Sequence, residues 1–279
     1  MSPVKRKIRE LLIGSGAALF VLVGSIMPAI PAMANGYSTP VDLGAASTFA
    51  VLAGAGISNT GTTTITGDVG TYPTASESGF TGADSVTITN GTNHLDDTAA
   101  GNAQTALAVA FADASTRLGA TTVTGDTLGT LNLGPGIYSG GALSLTGTLT
   151  LTGSATDVWI FQADSTLGTA GSSQILLSGG AKAANVYWAV GSSATLGASS
   201  TFKGSILAYA SITLYGSVTL EGRALAHTAA VTLNADNITV PTYTLTYTAG
   251  AHGSITGTSP QSVVSGSNGM AVTAVPDIG

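Results

Sequence analysis

Apolar residues along this chain alternate with small polar ones in short segments, and the segments recur at a fixed interval. Asn185-Val-Tyr-Trp-Ala-Val190, Lys203-Gly-Ser-Ile-Leu-Ala208 and Glu221-Gly-Arg-Ala-Leu-Ala226 begin 18 residues apart. A second set lies between them: Ala194-Thr-Leu-Gly197, Ser211-Ile-Thr-Leu214 and Ala230-Val-Thr-Leu233. A third follows: Thr201-Phe-Lys203, Val218-Thr-Leu220 and Asn237-Ile-Thr-Val240. Period-two alternation marks a strand with one buried side. Three strands per turn of about 18 residues predict a triangular parallel β-helix, with Gly, Asn, Asp and Ser clusters at its corners. Two longer turns precede these. One holds Gly136-Ile-Tyr138, Gly141-Ala-Leu-Ser-Leu145 and Thr148-Leu-Thr-Leu151; the other holds Val158-Trp-Ile-Phe161, Ser165-Thr-Leu167 and Gln174-Ile-Leu-Leu177.

Residues 96–118 break the strand pattern. Ala100, Ala103, Leu107, Ala110, Phe111, Ala114 and Leu118 fall at helical spacing. Asp96 and Asp97 at the start and Arg117 near the end suit the helix dipole. The narrow Ala-rich stripe of this helix needs a flat apolar partner. The first strand set supplies one, because both its sides are apolar: Val158 and Ile160 alternate with Trp159 and Phe161, and Val186, Trp188 and Val190 with Tyr187 and Ala189. The helix is therefore expected to lie along the first face, leaving the other two to solvent.

Residues 41–95 hold further strands around Phe49–Leu52, Gly56–Asn59, Thr64–Gly67 and Val86–Thr89. These are expected to cap or complete the solenoid, whose open end would otherwise be a pairing edge. After Pro241 the pattern changes. Tyr243 to Gly257 reads as a β-hairpin, with more strand at Val264 and over Ala271–Val275. The expected fold is thus all-β: a β-solenoid over 35–241, one long α-helix (about 96–118) packed along one face, and from 242 to 279 the start of a small β repeat domain, cut short.

In the second strand set Leu145, Leu167, Leu196, Leu214 and Leu233 are expected to point inward. Their preceding residues, Ser144, Thr166, Thr195, Thr213 and Thr232, then point outward and stack about 4.8 Å apart. A second outward column holds Ala142, Asp164, Ser193, Ser211 and Ala230. From this grid Ser144, Thr166, Thr195, Ser211, Thr213, Ala230 and Thr232 are the candidate binding residues. Small hydroxyl and methyl groups with little charge suit a neutral partner, and ice, glycan and another protein are the candidates. Ice is an ordered array of water. Regular hydroxyls can join its lattice, methyls between them order water, and rigid β-branched Thr loses little entropy on binding. The bland alternative stays open at this point, since Thr favours strands and any solenoid needs small polar residues outside. The third face is the poorer candidate, because Lys203 and Glu221 point out of it.

Composition narrows the partners. Charged residues make up 8% of the chain, against about 25% in an average soluble domain. No basic patch exists to neutralise phosphates, so nucleic acid is not expected. There is no cysteine, and 44% of residues are hydrophobic, so stability must come from the core alone. Residues 1–34 read as a secretory signal peptide. Lys5, Arg6, Lys7 and Arg9 precede an apolar run, and Ala32-Met33-Ala34 is a cleavage site that would leave Asn35 first; an uncleaved anchor is the alternative. No later apolar run is long enough to span a bilayer, so a secreted, extracellular chain is expected. His94, His227 and His252 are scattered, and neither a Gly-x-Ser-x-Gly elbow nor a P-loop occurs. Asp157 and Asp164 fall at strand ends, and Gly67-Asp68 and Gly125-Asp126 suit turns better than calcium loops. No enzyme activity, cofactor or metal is expected.

Leu43-Gly-Ala-Ala-Ser-Thr-Phe-Ala-Val-Leu-Ala-Gly-Ala-Gly-Ile-Ser-Asn-Thr-Gly61, followed by Ile65-Thr-Gly-Asp-Val-Gly70, closely resembles the opening of the secreted microbial ice-binding proteins. Gly134-Pro-Gly-Ile-Tyr138, Asp157-Val-Trp-Ile-Phe-Gln162, Asn185-Val-Tyr-Trp-Ala-Val-Gly191 and Gly222-Arg-Ala-Leu-Ala226 are similar to later landmarks of that family, so the likeness spans about 41–241. It implies an irregular right-handed β-helix with a helix alongside, and an ice crystal surface as the partner of one flat face. Gly168 and Gly197 depart from a perfect ladder, and Tyr215 beside Thr213 is bulky. Residues 242–279 resemble the start of an internalin-type B-repeat, which implies a domain displayed from, or tethered to, a longer surface protein; the domain itself is expected to be monomeric. A surface adhesin binding glycan or protein is the alternative function. Glycan sites favour exposed aromatics in a groove, whereas here the aromatics concentrate on the helix-covered face.

Overall fold

The computed structural model describes residues 39–264 and 268–277. The expected signal peptide, residues 1–34, lies outside them. Parallel strands stack into an irregular β-helix with three faces. A 15-stranded sheet wraps two of these faces, and a 7-stranded sheet forms the remaining one. The 18-residue repeat appears directly in the pairing: Tyr187 lies against Ser205 and Ser205 against Arg223, while Thr201 lies against Thr219 and Thr219 against Asn237.

The order of coils along the stack differs from their order in the chain. Phe49–Ala53 pairs with Thr219–Ala226, Ile57–Thr60 with Val231–Asn234, and Thr62–Thr66 with Asn237–Thr239. The segment before the helix therefore completes the solenoid at the end where the later coils finish. Helix α1, Thr98–Thr116, then carries the chain back to the opposite end, where Thr121–Thr122 pairs with Gly136–Gly140. Nineteen residues span ~28 Å, or about six strand spacings of ~4.8 Å.

The helix is seated by chemistry legible in its sequence. The Asp97 side chain caps it, accepting from the Ala100 N–H at 2.9 Å. Ala100, Ala103, Leu107, Ala110 and Ala114 are buried against Leu52, Ile137, Ile160, Tyr187, Ala189, Leu207 and Leu225, the outward side of the first face. Small alanines let the helix approach closely. Gln104 donates to Ala226 O at 3.1 Å, and Gln162 donates to Ala114 O and Arg117 O at the helix end. The helix is shorter than expected: Leu118 lies beyond it and is 88% exposed.

Inside the solenoid the apolar residues form one continuous core. Tyr138, Phe161, Trp188 and Phe202 make a ring stack with successive centroids 5.4, 4.0 and 4.9 Å apart. Beyond Val240 the pairing turns antiparallel. Thr242–Leu245 pairs with Gln261–Val264, and Gly253–Thr256 with Thr273–Pro276. The hairpin expected within 243–257 does not form, because each of its arms takes a partner further along the chain.

Candidate functional site

The second face is built from Leu143–Leu145, Leu167–Thr169, Ala194–Leu196, Ile212–Leu214, Val231–Asn234, Ile57–Thr60 and Glu77–Ser78. In Leu143–Leu145, Ala194–Leu196 and Ile212–Leu214 the two outer residues are buried and the middle one faces solvent. Parallel register puts the middle residues in one column: Ser144 against Gly168, Gly168 against Thr195, then Thr213, Thr232, Ser58 and Ser78. Thr127 bridges to Ser144 at the far end. Of the candidates, Ser144, Thr195, Thr213 and Thr232 stand together in this column.

Thr166 does not. Leu167 pairs with Leu143 and Ala194, so Gly168, not Thr166, takes the ladder position. The inward neighbour of Leu145 is Thr169, whose hydroxyl is turned in and accepts the Gly197 N–H at 2.8 Å. A threonine filling an inward position hid the register from the apolar pattern. Thr166 stays exposed but moves to the second outward column, since Leu167 N donates to Ser193 O at 3.2 Å. That column reads Ala142, Thr166, Ser193, Ser211, Ala230, each preceding a paired inward residue. Asp164, expected there, lies two positions earlier, outside the column.

Neither column contains a charged side chain. Its hydroxyls are tied to each other and to the backbone: Ser211 Oγ to Ser193 Oγ at 2.9 Å, Ser58 Oγ to Thr232 Oγ1 at 3.3 Å, Ser144 Oγ to Asp126 O at 3.1 Å. Such contacts hold rotamers still before any ligand arrives. Ser58 and Ser78 were missed as face residues. The pattern Gly56-Ile-Ser-Asn59 marked a strand, but nothing local says that it stacks on a coil 174 positions away.

The third face has its own threonines. Thr201, Thr219, Thr64 and Thr87 share one column and Thr239, Thr66 and Thr89 another, broken by Gln174, Leu176, Asn237 and the Lys203–Glu221 pair at 2.7 Å. Turn carboxylates serve the backbone: Asp157 accepts from Ser154 N, Asp126 from Gly141 N and Asp68 from Thr92 N. Among the described residues no cluster of three or more His, Asp or Glu could hold a metal. No described helix is long and apolar enough to cross a membrane.

A solenoid flanked by a helix has counterparts among known proteins. Residues 51–239 match the ice-binding-like family. This chain belongs to that family. An ice-binding protein of Nostoc sp. (strain HG1) is 42% identical over 206 residues, covering 72% of this chain and 75% of the relative. One from Flavobacterium frigoris is 35% identical, with 72% and 76% covered. The crystal structure of the ice-binding protein of the Antarctic ascomycete Antarctomyces psychrotrophicus superposes with a TM-score of 0.68 at 40% identity, over 73% of this chain and 99% of that one. An ice-binding protein from an Antarctic biological consortium gives 0.69 at 41% identity, over 73% and 92%. The fold of this family is the β-solenoid with its accompanying helix.

Proposed function

We propose that this protein is exported, carries no catalytic activity, and adsorbs to ice through the second face, with Ser144, Thr195, Thr213 and Thr232 in one column and Thr166, Ser211 and Ala230 in the other. The observation that carries this reading is the parallel register of the 7-stranded sheet, which sets small side chains about 4.8 Å apart, with one gap at Gly168 and no charge among them. Hydroxyls join the outer water layer and threonine methyls order the water between. Adsorbed molecules pin the crystal surface and halt its growth. The domain acts as a monomer, because a crystal plane supplies the whole partner surface, and it is tethered through residues 242–279, which resemble an internalin-type B-repeat.

The test is ice-crystal shape under slow cooling with the purified protein. Faceted crystals and a gap between melting and freezing points are expected. Thr213→Tyr should abolish both while changing stability by no more than ~0.5 kcal/mol, as for other surface changes. Shaping that survives this substitution moves the site to another face. Round, freely growing crystals with the unaltered protein make the adhesive reading the leading one.

A further inference from the structure

Tyr215 follows Thr213 by two positions and is 55% exposed. It lies one residue past the strand Ile212–Leu214; carrying the Thr213–Thr232 register on by two positions sets it beside Asn234, which pairs with Thr60, as part of a third outward column of the second face. Its neighbours are small. With bond lengths of about 1.5 Å, a phenol oxygen reaches roughly 4 Å farther from the backbone than a threonine hydroxyl. A flat solid meeting the first two columns is stopped by it before reaching the third.

The fold does not need this ring. Tyr209, on the same coil and 50% exposed, packs its ring 6.0 Å from both Phe111 and His227, and so belongs to the helix side. Tyr215 has no ring contact and no side-chain hydrogen bond among the described residues. Its only bond is from the backbone N–H to Leu196 O at 2.9 Å, which any residue keeps. Tyrosine at an exposed strand end costs nothing in packing and contributes little, so its consequence lies at the surface.

We infer that Tyr215 sets the width of the ice contact: it confines adsorption to the first two columns and holds activity below what the scaffold allows. This rests on the second face being the ice-binding one. The experiment compares the full chain with Tyr215→Thr, Tyr215→Phe and Thr213→Tyr, measuring the melting–freezing gap at matched concentration and the melting temperature of each. Tyr215→Thr should widen the gap about twofold, since the contact gains a column without new ordering cost. Tyr215→Phe, which keeps the bulk, should match the unaltered protein. A gap that shrinks in Tyr215→Thr makes Tyr215 a contact residue and overturns the inference, as does an unchanged gap. An equal gain in Tyr215→Phe overturns it too, by assigning the effect to the hydroxyl. If Thr213→Tyr has no effect, the face itself is misassigned and the inference falls with it. Loss in Thr213→Tyr with no gain in Tyr215→Thr breaks the inference alone.

Discussion

The first and second faces belong to the same coils, yet their outward residues differ in kind. On the first face Leu52, Ile160, Tyr187 and Leu225 point out and are covered by α1. On the second Ser58, Thr195, Thr213 and Thr232 point out and meet solvent. The first face gains from irregular, interlocking apolar shapes. The ice contact proposed for the second face is with a regular, rigid plane, and such a contact gains from repetition and small size. Covering and exposing are thus chosen by side-chain shape within one backbone register. The third face shows the intermediate case: threonine columns of the same spacing, interrupted by long side chains, among them the Lys203–Glu221 ion pair.

The largest expected effect lies on the covered face. Leu107 is fully buried between the helix and the sheet. Leu107→Ala should cost ~2–5 kcal/mol, the range for large-to-small changes in a core. Below its lowered melting temperature the variant should still shape ice, because the second face is untouched. Thermal unfolding with crystal observation at a few degrees checks both halves. Loss of shaping in a folded variant would show that the helix contributes to the contact.

Acidity should separate the faces further. Asp236 is 2% exposed, inside the corner between the second and third faces. Burial pushes its carboxyl up to about 6 despite bonds from Val218 N and Asn234 N. A folded pKa above the ordinary value of 3.8 favours the protonated form in the fold. That contribution is complete below about pH 4 and is lost as pH rises through about 6, with a ceiling of ~3 kcal/mol. Melting temperature should therefore fall from pH 5 to pH 8, and Asp236→Asn should flatten the slope. The melting–freezing gap should stay constant over that range, since neither column carries a titrating side chain. A gap that follows pH would place charged groups in the contact.

What the sequence made legible was periodic. The 18-residue repeat predicted the coils, and strands apolar on both sides predicted the helix-covered face. What it hid was non-local or broke the polarity code. Parallel pairing of Ile57–Thr60 with Val231–Asn234 joins segments far apart in the chain, and no local signal encodes that. Thr169 points inward where a leucine was expected, which shifted one rung of the ladder. Arg223, inside an apolar segment, is 1% exposed because the turn Gly44–Thr48 folds over it. Its guanidinium donates to Ser47 O and to Ser205 Oγ, locking that turn to the solenoid.

The two glycines that interrupt the expected ladder are not equivalent, and the smallest effect follows from the difference. A Cβ on Gly197 would come within 2.5 Å of Ala170 C and 2.6 Å of Thr169 O, so that position admits no side chain. A Cβ on Gly168 would meet nothing within 4 Å, and the residue faces outward between Ser144 and Thr195. Gly168→Thr closes the gap in the column without strain. A β-branched residue in a strand, together with a less flexible unfolded chain, should add up to ~1 kcal/mol of stability. The added hydroxyl and methyl should widen the melting–freezing gap by a fraction of its value, less than the gain from Tyr215→Thr. A stabilised variant with a narrower gap would mean that the recess at Gly168 holds an ordered water the contact uses, and that an unbroken threonine column is not the best match to the crystal.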